Sequence, residues 1–404
     1  MRSVEAIVEH KDGSVNVPSV TSAPGIQKRA RPLREGYSWP KPYNEHVKTW
    51  DVIVVGAGVI GLAIARELSK RGVSVLVLDR GEPGREASHA AAGMLVGDGE
   101  ENPEQMRALA SASARAYPEF VHEIEDESHS RVDLRSDGTI ILLSKEEAAT
   151  HSSSKLFTAV ELAEIEPEVA GSERQAVRIE ERSVDPRALT AALLKACLHR
   201  GAQVASGEQV TCINLIDSRV SGVTTQKTTY AANCVANCAG AWSGQFPPHT
   251  FPTRPVKGQM LAVVSRRPIL RHVVRSPEVY IVPRSDGRIL IGASIEEAGY
   301  DKRVVPDTIQ RMHREAIKLI PALTEARILE DWAGLRPGTP DNLPILGSTQ
   351  TPGYFVATGH YRDGILLTPI TAQLMAQVIT GESPCLDLRS FSAQRFLQRD
   401  VRAS

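Results

Sequence analysis

The sequence predicts an α/β fold in which a parallel, helix-flanked sheet is interrupted by antiparallel strands, and three stretches carry that expectation. "DVIVVGAGVIGLAIARELSKRGVSVLVLDR" at 51–80 sets an unbroken G-x-G-x-x-G between an apolar run and a helical pattern. "RVDLRSDGTIILLS", "RPVKGQMLAVV" and "EVYIVPRSDGRILIGAS" have the patterning of antiparallel strands. "GYFVATGHYRDGILLTPITAQLMAQVIT" then returns to strand, glycine turn and closing helix, a second place where a helix N-terminus can meet a cofactor.

Taken in order, Asp51 to Val55 reads as a buried strand, and Ile60, Ala63, Ile64 and Leu68 follow at helical spacing. Val73 to Leu78 is a second apolar run, and Asp79 falls 18 residues after Gly61, which completes a βαβ unit of about 30 residues. Each glycine has a separate reason. Gly56 allows the tight turn, Gly58 lets backbone approach a pyrophosphate, and Gly61 brings helix and strand together. The helix N-terminus favours phosphates. Asp79 can accept hydrogen bonds from ribose hydroxyls and would repel a 2′-phosphate, so NADP is disfavoured. The plain alternative is a βαβ unit whose glycines serve only a turn.

Residues 103–130 read as an amphipathic helix, followed by two strands around Asp137-Gly138, a hairpin signal. "DPRALTAALLKACLHR" at 185–200 reads as a helix opened by Asp185 and Pro186. "GAQVASGEQVTCINL" then supplies strands that rejoin the first sheet, so the nucleotide domain is discontinuous. "NCVANCAGAWSGQF" is an apolar strand ending at Gly240, and a helix is expected at 306–320.

A chain of 404 residues, 42% hydrophobic and 24% charged, suggests two globular domains. The net charge of -1 leaves no electrostatic footprint for nucleic acid. Five scattered cysteines, an odd number, suggest reduced thiols in the cytoplasm. Cys234 and Cys238 share one face of a buried strand and are read as core rather than as metal ligands; no metal is expected. No apolar run reaches the length of a membrane span. Residues 1–49 lack the apolar segment of a secretory signal and carry "QKRARPLR". They are expected to be a disordered or surface-draped extension, with a targeting role or a misassigned start as the alternatives.

The fingerprint, "ASHAAAGML" at 87–95, "PVKGQML" at 255–261, "YIVPR" at 280–284, "WAGLRPGTPDNLP" at 332–344 and "GHYRDGILLTP" at 359–369 together resemble the D-amino-acid-oxidase-like flavoenzymes. Within that family the resemblance is to the glycine oxidases of thiamine biosynthesis, in the same order from residue 50 to about 400. It implies FAD rather than NAD, and a Rossmann-like FAD-binding domain interleaved with an antiparallel-sheet, α+β substrate domain. The implied FAD-binding segments are 50–131, 176–253 and 330–404, and the substrate segments are 132–175 and 254–329.

By resemblance, Gly56, Gly58, Val59, Ile60 and Gly61 form the pyrophosphate turn, with Asp79 and Arg80 beside the adenosine ribose. Ala87, Ser88, Ala92, Gly93 and Met94 line a second cofactor segment. Val210 meets the adenine through its backbone. His360, Tyr361, Arg362, Asp363, Gly364, Ile365 and Leu366 wrap the flavin end, with His360 acting through backbone rather than imidazole. Tyr280 and Arg336 meet the substrate, and Arg362 lies near flavin and substrate. A guanidinium fork and a phenol suit a small amino acid, because together they can hold one carboxylate by three hydrogen bonds.

The implied reaction is hydride loss from the α-carbon of a neutral amine to flavin N5, with no side-chain base. The imine then hydrolyses to a 2-oxo acid and ammonia or passes to a thiazole-synthesis partner. No second G-x-G-x-x-G is present, so oxygen is the default acceptor and hydrogen peroxide the product. Two departures bear on this. Gly334 stands where sarcosine-oxidase relatives carry a flavin-tethering cysteine, which implies noncovalent FAD. Ile295 stands where glycine oxidases can carry Met, which leaves the choice among glycine, sarcosine and small D-amino acids open. A dehydrogenase of the same fold that feeds a quinone or protein, and a non-catalytic flavin-binding module, are the rival readings. The oligomeric state is open, a homo-oligomer included.

Overall fold

The computed structural model describes residues 49–97, 103–144, 156–169 and 175–397, so the extension at 1–49 lies outside them except for Thr49. Strand β1 (Thr49–Val55) leads through the glycine loop into helix α1 (Val59–Lys70), and strand β2 (Val75–Leu78) lies parallel to β1 with Val52 opposite Val75. Parallel strands are covered on both faces, which is why these runs are apolar without alternation. On its other side β1 pairs in parallel with Thr229–Asn237. That long strand carries Arg219–Thr225 along its first half and Tyr354–Thr358 along its second. With Gln203–Ala205 beside β2, and with Val210–Ile216 and Ile345–Ser348 at the margins, the sheet has eight strands.

Helix α2 (Ala87–Ala90) and the long helix α3 (Glu104–Ser128) follow β2. Buried Arg66 of α1 is held by Glu127 at 2.6 Å and Glu123 at 2.8 Å, both on α3. Burial alone would raise the Glu127 carboxyl, but hydrogen bonds from Arg66 and Arg200 outweigh it and hold the group below its ordinary range. The helix Pro186–His199 opens as its sequence predicts: the Asp185 carboxylate accepts from the backbone of Arg187 and Ala188.

The second sheet also has eight strands, in the order Arg327–Gly338, Arg254–Val264, Arg288–Gly292, Tyr280–Pro283, Val273–Arg275, Thr139–Leu142, Ala176–Ile179 and Leu156–Phe157. Its two faces follow the period-two rule of strands. Leu261, Ile281 and Ile291 join the cluster that also contains Ile309 and Met312 of the helix Pro306–Leu319. Met260, Val282 and Leu290 belong to the opposite face, with Tyr280 and Trp332 packed against them.

Two expectations need adjustment. Asp137-Gly138 bends the chain, with Gly138 at φ 98°, but the flanking strands do not form a hairpin. Leu134–Arg135 pairs with Arg182–Val184 in a small three-stranded sheet, whereas Thr139–Leu142 joins the second sheet between Val273–Arg275 and Ala176–Ile179. Turn chemistry dictates a reversal; the partner alongside is chosen by packing. Residues 330–338 also pair along their length with Arg254–Val264 in the second sheet, although the sequence grouped them with the cofactor segments. Among the described residues, no helix is long and apolar enough to cross a membrane.

Candidate active site

A cavity of about 770 Å³ runs from the glycine loop of the first sheet to the inner face of the second. At the first end the wall is mostly backbone. Gly56 adopts φ 106°, and a Cβ there would stand 2.5 Å from the Cys238 carbonyl oxygen. Gly58 caps α1 and lines the cavity, as do Val59 and Ile60. Gly61 does not line it. A Cβ there would overlap the Gly56 carbonyl, so this glycine serves the close approach of helix and loop.

Asp79 holds the loop from below: its carboxylate accepts from Ala57 N at 2.7 Å and from Gly81 N at 2.9 Å. Burial pushes this carboxyl above its ordinary range, and the two N–H donors only partly offset that. Additional donors such as ribose hydroxyls would favour its ionised form. Ser88 projects from α2 so that its hydroxyl accepts from Val59 N at 3.0 Å, which caps the first turn of α1 at the cavity wall. Ala87, Ala92, Gly93, Met94, Arg80 and Val210 line the same space.

The second end is made of side chains on strands far apart in sequence. Tyr280 and Arg336 both line the cavity; the Tyr280 hydroxyl donates to Met260 Sδ at 3.7 Å, and Arg336 donates to the Ser294 carbonyl at 3.1 Å. Burial raises the Tyr280 phenol above its ordinary range, opposed by the positive charges of Arg336 and Arg362. Both groups are seated on glycines. A Cβ at Gly258 would overlap the Arg336 guanidinium, and one at Gly292 would come within 2.7 Å of the Tyr280 ring. An isolated glycine inside a strand pattern signals such an approach, and "VKGQM" and "LIGAS" carried that signal without its partner being readable.

The loop after Tyr354–Thr358 joins the two ends. His360, Tyr361, Arg362, Asp363, Gly364 and Ile365 line the cavity, whereas Leu366 is buried in the first-sheet core and stands outside the wall. Its direction follows from two supports on α3: Tyr117 donates to the Ile365 carbonyl and Ser113 to the Leu366 carbonyl, each at 2.6 Å. Gly359 at φ 73° and Tyr361 at φ 47° make the bend. Burial drives the His360 imidazole down to about 3, so it is neutral, and its Nε2 lies 3.2 Å from Thr371 Oγ1.

Other contributors were not legible as site residues. Buried Arg284 donates from Nη2 to the Ala92 carbonyl and so fixes the second cofactor segment from behind, at the cost of a guanidinium pushed down by burial to about 10. Trp242 lines the cavity beside Arg80. Gly334 lies against α2, where a Cβ would overlap Ala90. Cys238 lines the cavity too, but burial raises its thiol to about 12, which suppresses the reactive thiolate.

Glycine turns, small residues and a half-buried acid facing the cavity are the donor set for a dinucleotide, and the model of the DAO family, FAD dependent oxidoreductase, matches residues 51–378. The chain belongs to this family. Its cofactor is FAD, and the backbone-lined end fits the adenosine and pyrophosphate half. The flavoenzyme is 35% identical over 364 residues to the bifunctional protein ThiO/ThiG of Synechocystis sp., covering 86% of this chain and 54% of that protein. It therefore spans about half the length of that relative. It is 33% identical over 353 residues to a glycine oxidase of Pseudomonas aeruginosa, covering 83% of this chain and 96% of that one. The crystal structure of glycine oxidase from Geobacillus kaustophilus matches it with a TM-score of 0.81 at 33% identity, covering 86% and 99% of the two chains.

Proposed function

We propose that this flavoenzyme oxidises glycine or a similar small amino acid, such as sarcosine or a small D-amino acid, in the cytoplasm. The observation that carries the reading is the Arg336 guanidinium and the Tyr280 phenol lining the same cavity, each packed over a strand glycine. A buried carboxylate needs a fixed partner, because leaving its charge unpaired costs more than a single hydrogen bond returns. Arg336 supplies a fork and Tyr280 a further donor. Ile295 and Met260 line the same cavity.

Gly56, Gly58, Val59, Ile60, Asp79, Arg80, Ala87, Ser88, Ala92, Gly93, Met94, Val210 and residues 360–365 would hold FAD, with Gly61 supporting the loop from outside. Binding is noncovalent on this reading, since Gly334 and the inert Cys238 leave no reactive thiol at the flavin. When bound, the flavin supplies the acceptor for the hydride leaving the substrate α-carbon. The chain's part is to fix the carboxylate, keep water out and admit the amine in its neutral form. His360, neutral and buried, moves no proton.

The product imine would hydrolyse to a 2-oxo acid and ammonia, with oxygen as acceptor and hydrogen peroxide formed. Relatives named bifunctional protein ThiO/ThiG fit a second activity acting beside the oxidase, the place a thiazole-synthesis partner would take. The interleaved domain division is part of the same proposal, and the pairing of residues 330–338 with Arg254–Val264 supports assigning them to the substrate half.

A substrate panel tests this, reading flavin bleaching without oxygen and peroxide with it. Arg336→Ala should keep its flavin spectrum and lose roughly 2 to 4 kcal/mol of transition-state binding, or about 30 to 1000-fold in kcat/KM. Arg336→Lys should recover only part, lacking the fork. Amines without a carboxylate that are oxidised equally well by wild type and Arg336→Ala would remove the clamp. Dye reduction without peroxide would replace the oxidase by a dehydrogenase.

A further inference from the structure

The wall beside Arg80 is not built by the first sheet alone. Trp242, on the turn Gly240–Gln245, lines the cavity, and the Arg80 guanidinium lies 3.6 Å from its ring centroid. Arg80 is in turn held by Glu86 at 2.8 Å, also a wall residue. Against these three lies a short stretch of the connection from Arg288–Gly292 to the helix Pro306–Leu319, which belongs to the second sheet and its covering helix.

Tyr300 sets its ring against Trp242, with centroids 5.4 Å apart and planes 32° apart. Its hydroxyl donates to the Ala241 carbonyl and accepts from Gln245 Nε2, both at 3.0 Å. Two residues on, Lys302 Nζ reaches Glu86 Oε2 at 3.1 Å. The contacts close into a ring: Lys302, Glu86, Arg80, Trp242, Tyr300. Tyr300 is 45% exposed and is not itself a wall residue, so no burial of its own accounts for the side on which it stacks.

We propose that residues 300–302 are a strap that retains FAD: Trp242, Arg80 and Glu86 cannot swing outward to release the cofactor until their contacts with Tyr300 and Lys302 break. The proposal rests on the reading that this cavity holds FAD. The aromatic stack and the cation–π contact are the main restraints, because an exposed ion pair contributes little and is screened by salt.

The test is the rate of FAD release from the holoprotein, followed as free-flavin fluorescence after dilution with a trap for released flavin. Tyr300→Ala should speed release about 3 to 10-fold, the scale of one aromatic pair. Tyr300→Phe, which keeps the ring, should stay near the wild-type rate. Lys302→Ala should speed release less than about 3-fold, and added salt should speed the wild type towards that variant without further effect on it. A merely structural role would lower the melting temperature of apoprotein and holoprotein alike and leave release unmoved. Release from Tyr300→Ala at the wild-type rate overturns the strap. Wild-type protein that binds no FAD overturns instead the reading beneath it.

Discussion

At the glycine-loop end of the cavity the wall is backbone, small side chains and one carboxylate that grips the loop from below. At the other end, Tyr280 and Arg336 come from strands whose neighbours, Gly292 and Gly258, have no side chain to stand in their way. Backbone amides and close approach suit the pyrophosphate and ribose, which are the same in every substrate's reaction. Side chains suit the part that must choose. The same residue type therefore does opposite things at the two ends. Gly61 lets backbone meet backbone, whereas Gly258 leaves room for the Arg336 guanidinium.

That contrast can be broken by adding one methyl group at each end. Gly61→Ala drives a Cβ into the Gly56 carbonyl, which cannot yield without moving the loop, and should give a protein that purifies without flavin. Gly258→Ala drives a Cβ into the far end of a flexible side chain, so the fold and the yellow colour should persist while kcat/KM falls towards the Arg336→Ala value. Absorbance at the flavin maximum and steady-state peroxide assays separate the two. Loss of flavin in Gly258→Ala would show that the ends are not independent.

Asp79→Ala comes next in size. Removing the carboxylate that holds the loop and is proposed to accept from the ribose should weaken FAD by roughly 1.5 to 3 kcal/mol, or about 10 to 150-fold in Kd by titration of the apoprotein. An unchanged Kd would take Asp79 out of the site. FAD should also be released from wild type by acid precipitation if, as proposed, binding is noncovalent; flavin retained on the precipitated chain would contradict that. If Tyr280 donates to the substrate carboxylate as proposed, Tyr280→Phe should cost about 10-fold in kcat/KM with FAD binding unchanged.

His360 should have no effect on turnover and a measurable one on stability. Burial depresses its folded value to about 3, below the ordinary 6.5, so between those values the unfolded chain binds the proton that the folded chain refuses. Stability contributed by neutral His360 is thus full above pH 6.5 and declines as pH falls towards 3. Denaturation midpoints from pH 7 to pH 5 should fall less steeply in His360→Gln than in wild type. Identical slopes would mean that the imidazole is not shielded as placed.

Much of the first end was legible because its residues are consecutive: strand, loop, helix, strand and acid fall within 51–80, and local spacing alone specifies their geometry. Asp185 and Pro186 opened their helix for the same local reason. The hairpin at Asp137-Gly138 failed because a turn determines a bend and not a neighbour. Tyr280 and Arg336 were reached through resemblance rather than through spacing, since nothing in 280–336 states that the two meet. By itself the sequence determined the nucleotide unit, the alternation of the second sheet and the glycines that permit close approach. Tertiary structure decided what approaches each glycine, how Tyr117 and Ser113 aim the 360–365 loop, and how Arg284 and Trp242 reach a cavity from elements distant in the chain. The reason is physical: backbone conformation is governed by neighbours in sequence, whereas the partner of a side chain is settled only when sheets pack and bury their apolar faces.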